Sequence, residues 1–273
     1  MKLLFSEAKP DYDHYIFPYA IWAFPESGET PADLFAAGFL PSSRQLDRFY
    51  LCRSLRLALT EFTPSSENRR ILRKGEGIAV RLFPRAEFEF TPARREFCKR
   101  YTDAKFGTTG MSYERLDSLF HSPVTSHVLV FTDTTSNTEV GLATLYLEGA
   151  KLAFYYYAFY DLAHPNRSLG LFMMTTAAKL FADRGCAYLY LGSCYSENAL
   201  YKTQFSGCEF FNGYAWSRKL EELKFIIRRS QGELSQHLLE DLGYRETFLT
   251  SNLLRLAEQS PARIVTPDRP SGS

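Results

Sequence analysis

The chain has 273 residues, with 32 lysines and arginines against 31 aspartates and glutamates, for a net charge of +1. Hydrophobic content of 45% and aromatic content of 15% suffice for a sizeable core, in one large or two modest domains. No apolar run approaches the roughly 20 residues of a membrane-spanning helix. The apolar start Leu3-Leu4-Phe5 is too short for a signal peptide, and the five cysteines show no disulfide spacing. These features predict a soluble, reduced, cytoplasmic protein with no membrane partner. The charge balance alone decides nothing about nucleic acid, because a basic face can be offset elsewhere.

Residues Tyr12 to Phe24 are aromatic and apolar, and Pro18 and Pro25 predict an edge strand there. Thr30-Pro31 starts a helix that Gly38 stops. Phe49 to Leu51 and the alternating Leu55 to Phe62 read as strands. Thr63-Pro64-Ser65-Ser66-Glu67 opens a helix carrying Arg69, Arg70, Arg73 and Lys74, and Ile78 to Phe90 is extended. Thr91-Pro92 begins a basic helix with Arg94, Arg95, Lys99 and Arg100, and Ser112 to Phe120 is a shorter one. Three strands follow, over Ser126 to Thr132, Glu139 to Leu147 and Leu152 to Phe159, joined by hairpin-like turns. Leu169, Phe172, Met173, Ala177, Leu180 and Phe181 then recur at helical spacing, and Asp183-Arg184-Gly185 ends the helix before a buried strand at Tyr188 to Leu191. That strand, helix, strand order predicts a crossover between parallel neighbours, with the loop from Asp161 to Ser168 where open sheets bind ligands. Glu221 to Ser230 reads as a helix and Glu233 to Leu242 as another.

The expected class is α+β: a GNAT-like mixed sheet with flanking helices in the C-terminal half, plus a smaller N-terminal α/β domain. The expected division is 1–90, 91–258 and a disordered tail, 259–273, rich in Pro, Ser and Gly.

Arg167-Ser168-Leu169-Gly170-Leu171-Phe172 lies at a helix start. It resembles the R/Q-x-x-G-x-G/A pyrophosphate site of GNAT acetyltransferases, where backbone N–H groups and the helix dipole hold an anion. Phe172 stands in place of the small final residue and is expected to obstruct coenzyme A. Asp161 is a general base or ammonium anchor, or else a turn aspartate, which its position alone favours. Tyr201-Lys202-Thr203-Gln204 either presents donors and a cation to a phosphate backbone or is an exposed helix with a buried tyrosine. Tyr155, Tyr156, Tyr157 and Tyr160 offer stacking faces, about half of which strand alternation sends to the core. Cys52, Cys98, Cys186, Cys194 and Cys208 contain no C-x-x-C pair, and the five histidines are scattered, so no metal site is expected. The clusters Arg69-Arg70-Arg73-Lys74 and Arg94-Arg95-Lys99-Arg100 are solvated helix faces or, taken together, a polyanion-binding face.

FYDLAHPNRSLGLF, AYLYLGSCY and ALYKTQF, in that order and spacing, resemble the C-terminal half of arginyl-tRNA–protein transferases. They are equally similar to the bacterial branch that transfers leucine to N-terminal Asp or Glu. LFAAGFLPSSRQLDRFY and FTPSSENRRILRK resemble segments of the N-terminal half, so the likeness spans about residues 30 to 215. Leu162 departs from the family's proline, and Ser193-Cys194 from its aromatic pair. Phe17 to Trp22 occupies the place of the first cysteine pair, with only Cys52 near the second. The metal centre of the family is therefore not expected here. The resemblance implies an aminoacyl-tRNA–protein transferase moving arginine or leucine to an acceptor amine, a protein N-terminal Asp or Glu. Aminoacyl-tRNA is its co-substrate and no other cofactor is implied. On that reading Asp161, Tyr160 and Tyr201 are catalytic. Arg167, Ser168, Gly170, Lys202 and Gln204 bind substrate or the tRNA 3′ end, and Arg69, Arg70 and Arg73 hold the acceptor stem or an acidic N-terminus. The alternatives are an acyl-CoA-dependent GNAT N-acyltransferase, or a non-catalytic module binding N-degrons or RNA.

Overall fold

The computed structural model describes residues 1–165, 168–232, 234–249 and 252–261. Strands β1 (Lys2–Glu7), β2 (Tyr19–Phe24), β3 (Phe39–Pro41) and β4 (Phe49–Leu51), with helix α1 (Pro31–Ala36), form a small antiparallel sheet in the order β1-β2-β4-β3. The chain then enters an eight-stranded sheet through β5 (Ser54–Ala58). Helix α2 (Ser66–Lys74), β6 (Ile78–Pro84), α3 (Pro92–Phe106) and α4 (Tyr113–His121) follow. The meander β7 (His127–Asp133), β8 (Thr138–Glu148) and β9 (Leu152–Tyr160) leads into α5 (Leu169–Asp183) and β10 (Tyr188–Ser193). Strands β11 (Cys208–Phe211) and β12 (Trp216–Ser217) and helices α6 (Leu220–Arg229), α7 (Leu242–Phe248) and α8 (Leu253–Gln259) complete the chain. The sheet order is β12-β11-β5-β10-β9-β8-β7-β6, and β9–β10 is its one parallel pair among the described residues. The expected α+β class, a mixed sheet flanked by helices, is what is found.

Local chemistry sets several of these boundaries. Ser65 Oγ accepts from the N–H of Asn68 while Asn68 Oδ1 accepts from that of Ser65, a reciprocal cap for α2. Thr91 caps α3 and Pro92 occupies its first turn, where a missing N–H costs nothing. Between β7 and β8, Asp133 Oδ1 accepts from the N–H groups of Thr135 and Ser136 and closes the turn.

Strand alternation assigns the two sheet faces to different partners. Leu129 and Phe131 of β7 join Ala153, Leu189 and the buried side of α5. Val128 and Val130 face Leu116, Leu119 and Phe120 of α4 and Cys98 of α3. Beside them Phe35 of α1 enters an aromatic cluster with Phe154 (5.1 Å between centroids) and Tyr190 (4.8 Å), docking the small sheet on the large one.

Several expectations need correction. The boundary at residue 90 runs through the large sheet, because β5 and β6 are two of its strands. The N-terminal unit is an antiparallel sheet with one helix, not α/β. Pro18 and Pro25 flank β2 instead of lying in it, so β2 pairs on both edges, with β1 and β4. The strand expected over Leu55 to Phe62 ends at Ala58, and Leu59–Glu61 is a 3-10 turn. The helix expected over Glu233 to Leu242 is only a turn at Leu238–Glu240, with the helix following it. Most of the expected tail, 262–273, lies outside the described residues. The first cysteine pair's place holds Trp22, beneath the Arg48 guanidinium at 5.2 Å.

A buried ion pair ties the sheet together around β5. Arg56, only 8% exposed, lies between the rings of Tyr188 (4.0 Å) and Trp216 (3.9 Å) and donates to Glu209 at 2.7 Å. Arg218 bridges the other Glu209 oxygen (2.9 Å) to Glu61. Two desolvated charges hold each other here, so removing one leaves the other uncompensated. Glu209→Gln is therefore expected to cost about 3 kcal/mol of stability, measured by urea unfolding; an unchanged midpoint contradicts this role.

Candidate active site

The site forms where the parallel pair ends. β10 pairs with β9 only at Tyr188↔Leu152, Leu189↔Ala153 and Tyr190↔Phe154. Beyond these, β9 continues beside β8 as far as Tyr160, and β10 continues beside β5 to Ser193. A bulge accompanies each departure, at Tyr156 on β9, between the pairs Thr144↔Tyr157 and Leu145↔Tyr155, and at Leu191 on β10, between Tyr190 and Gly192. Gly192 takes φ +81°, a conformation that side chains other than glycine's rarely adopt.

The gap between the parted strands is a cavity of about 530 Å³. Its lining includes Tyr155 to Tyr160 of β9, Leu191 of β10, Ser168, Gly170 and Met174 around the start of α5, and Tyr101 of α3. Tyr201 and Lys202 close it from the 3-10 stretch Glu197–Gln204. Tyr160, Ser168, Gly170, Tyr201 and Lys202, five of the expected site residues, thus converge on it from two sequence segments. All four tyrosines considered for stacking also line it. Tyr155 is buried, and Tyr156, Tyr157 and Tyr160 are half-buried.

Polar atoms here are held out of water. The Tyr155 hydroxyl is buried and has no hydrogen-bond partner among the described residues. Burial drives its pKa well above the ordinary phenol value, so the group remains a neutral donor. Lys202 Nζ donates to the Ser193 carbonyl at 3.2 Å, and burial lowers its pKa by disfavouring the ammonium. The Tyr160 ring lies 4.8 Å from that of Tyr101 and covers Gly170, where a Cβ would stand 2.7 Å from it.

Phe172 does not obstruct the mouth as expected. It is a core residue whose ring packs on Gly75, where a Cβ would sit 2.0 Å away, and meets Phe131 edge-on. The ring over the first turn of α5 belongs instead to Tyr160.

Asp161 lies outside this cavity. Its Oδ1 accepts from the Ala163 N–H at 2.9 Å, the turn geometry its position favours, and it lines a second cavity of about 490 Å³. Gln204 donates to the Tyr201 carbonyl at 2.7 Å and braces the 3-10 stretch without lining the cavity. Arg167 lies outside the described residues. Arg69, Arg70 and Arg73 line neither cavity; Arg69 donates to the Pro64 carbonyl and Arg70 is paired with Glu67. The second basic cluster is largely neutralised: Arg94 pairs with Glu139, Arg95 with Asp117 and Lys99 with Asp103.

Burial pushes the thiols of Cys52 and Cys208 up to about 12 and that of Cys98 well up, so these cysteines are inert. Among the described residues no group of three or more His, Cys, Asp or Glu side chains is placed to hold a metal ion. No described helix is long and apolar enough to cross a membrane. Tyr101 was not legible as a site residue, because Phe97, Cys98 and Tyr101 recur as an ordinary buried helix face.

No protein-family model matches the chain. It is similar to bacterial proteins named aspartate/glutamate leucyltransferase. The protein from Ruegeria sp. (strain TM1040) is 27% identical over 175 residues, covering 61% of this chain and 61% of its own. The protein from Methylobacterium sp. (strain 4-46) is 27% identical over 186 residues, covering 61% of this chain and 72% of its own. The chain thus spans 61% of the length of the Ruegeria relative. Among solved structures, the C-terminal domain of a putative lysylphosphatidylglycerol synthetase from Agrobacterium fabrum is similar with a TM-score of 0.42. It is 15% identical and covers 52% of this chain and 46% of its own.

Tyr155→Phe deletes only the orphaned hydroxyl. In the ligand-free protein it is expected to raise stability by about 1 kcal/mol, seen as a higher urea midpoint. A lower midpoint would mean that the hydroxyl already has a partner within the fold.

Proposed function

We infer that the protein is a tRNA-dependent aminoacyltransferase with a GNAT-like catalytic half, joining an amino acid to the α-amino group of an acidic protein N-terminus. One observation carries the reading. Residues of the three C-terminal segments that resemble the transferases, Tyr160, Ser168 and Gly170 of the first, Leu191 of the second and Tyr201 and Lys202 of the third, line one cavity between β9 and β10. The similarity to the leucyltransferases supports it.

In the reaction the acceptor nitrogen attacks the ester carbonyl carbon of aminoacyl-tRNA. A C–N bond forms, the bond to the ribose oxygen breaks, and that oxygen leaves with a proton. An α-amino group has a pKa of about 8, so part of it is neutral near pH 7 and no strong base is needed for attack. Once bonded to the carbonyl carbon the nitrogen is far more acidic, and Asp161 or the departing oxygen takes its proton. Tyr160 donates to the developing oxyanion and Tyr201 supports it from the mouth. Lys202 offers its cation to the 3′ end, with Ser168 and Gly170 at the adjacent helix start. Arg167 contributes to the same end of the tRNA.

The cavity favours leucine over arginine as the amino acid transferred. Phe106, Leu171, Met174 and Leu191 supply apolar surface, and no carboxylate lines it among the described residues. An arginyl side chain would meet the Lys202 ammonium with nothing to balance it.

The test mixes purified protein with charged, radiolabelled aminoacyl-tRNAs and peptides beginning with Asp, Glu, Arg or Ala, with ribonuclease and acetyl-CoA arms. Leucine should appear on the Asp and Glu peptides, sensitive to ribonuclease and strongly reduced in Lys202→Met. Acetylation from acetyl-CoA with no transfer from tRNA would replace this reading with the acyl-CoA one. Peptide or RNA binding without turnover would leave a non-catalytic module.

A further inference from the structure

We propose that the second cavity is the acceptor subsite, in which Asp161 holds the α-ammonium of the incoming polypeptide and Arg100 its first side-chain carboxylate. The assignment rests on the transferase reading and supplies the partner that the first cavity lacks. The two cavities lie against each other, because Tyr101 and Tyr160 line both. A two-substrate transfer needs two such chambers and a shared wall at the reacting atoms. Tyr160, the proposed oxyanion donor, is in that wall and is followed directly by Asp161.

Charge distinguishes the two chambers. The first contains a cation and no carboxylate among its described lining residues. The second contains Asp161, Glu139 and Arg100. Glu139 is committed to Arg94, through contacts of 2.9 and 2.6 Å, so its charge is already balanced. Asp161 uses Oδ1 for its turn, and among the described residues no donor reaches Oδ2. On α3, Arg94, Arg95 and Lys99 all have carboxylate partners, whereas Arg100 has none among the described residues. The unpaired member of that basic cluster is the one lining the cavity. A chain end bearing an ammonium and, a few bonds away, a carboxylate complements this arrangement of one anion and one planar, forked cation. An amide side chain can accept from the guanidinium but leaves its charge unbalanced, and a blocked α-amine would leave Asp161 without its cation.

Because Arg100 is exposed, its pair with a ligand carboxylate is partly screened, and its loss should weaken binding about fivefold to tenfold rather than abolish it. The experiment measures binding of fluorescent peptides to the full chain without tRNA, comparing first residues Glu and Gln, and free with acetylated Glu. The wild-type protein is expected to prefer the free Glu peptide over both. Arg100→Ala should bring Glu down to the level of Gln, and Arg100→Glu should turn the preference toward Lys. Asp161→Asn should erase the difference between free and acetylated Glu. A wild-type protein that does not distinguish Glu from Gln, or an Arg100→Ala variant that still does, overturns the subsite. The outcome is separable from that of the transfer assay. Undiminished transfer to Glu peptides by Arg100→Ala refutes the subsite and leaves the transferase reading standing. Charge-selective peptide binding by a protein that transfers nothing does the reverse.

Discussion

Beyond Phe154 and Tyr190 the two central strands stop sharing hydrogen bonds, and each stays with its outer neighbour. Strands that separate within a sheet leave backbone and side chains facing each other across a gap that no ladder fills. Here the gap begins at Tyr155 and Leu191 and opens toward the start of α5. The bulge before Gly192 and the positive φ of that glycine turn β10 toward β5, while the bulge at Tyr156 lies in β9 itself, where it stays with β8. The buried Arg56–Glu209 pair, flanked by Tyr188 and Trp216, binds β5 to β11. It therefore anchors the strand that β10 follows. The stability of the far side of the sheet and the shape of the cavity are linked through that strand.

The same parting explains how polar chemistry is placed in an aromatic core. Tyr155 and Lys202 lose water because the strands, α5 and the 3-10 stretch enclose them, and the pKa of each shifts toward the neutral form. An orphaned hydroxyl and a desolvated ammonium are costly in a ligand-free fold. Both face one cavity, so a ligand bearing acceptors would recover part of what burial costs. The stability spent at such positions is a recurring feature of binding sites, where local cost and function coincide.

The local elements were legible because their signals are local. Helical spacing over Leu169 to Phe181, caps at Ser65 and Thr91, and the Asp133 turn describe α5, α2, α3 and the β7–β8 hairpin. What the sequence did not reveal was long-range pairing. β5 inserts between β10 and β11 some 130 to 150 positions away, and no local pattern shows it, so the domain boundary fell in the wrong place. Arg56 reads as the exposed position of an alternating strand until Glu209 is brought beside it. Similarly, the residue replacing a small one at the helix start was legible as Phe172, but not the direction of its ring, which Gly75 receives. The site was partly legible: five residues share the cavity, while Asp161 belongs to the neighbouring one and Gln204 and the α2 arginines to neither. Arg100 stood out only after its three neighbours had found partners.

The central claim is that the gap between β9 and β10 receives the aminoacyl end of a tRNA. A crystal structure of the full chain with 3′-deoxy-3′-(leucylamino)adenosine, whose amide resists transfer, tests it most directly. The leucyl group is expected between Tyr155, Leu171 and Leu191, with a polar atom of the analogue on the Tyr155 hydroxyl and the ribose toward Lys202. An analogue bound elsewhere, with the cavity unchanged and the Tyr155 hydroxyl still unpartnered, would contradict the claim.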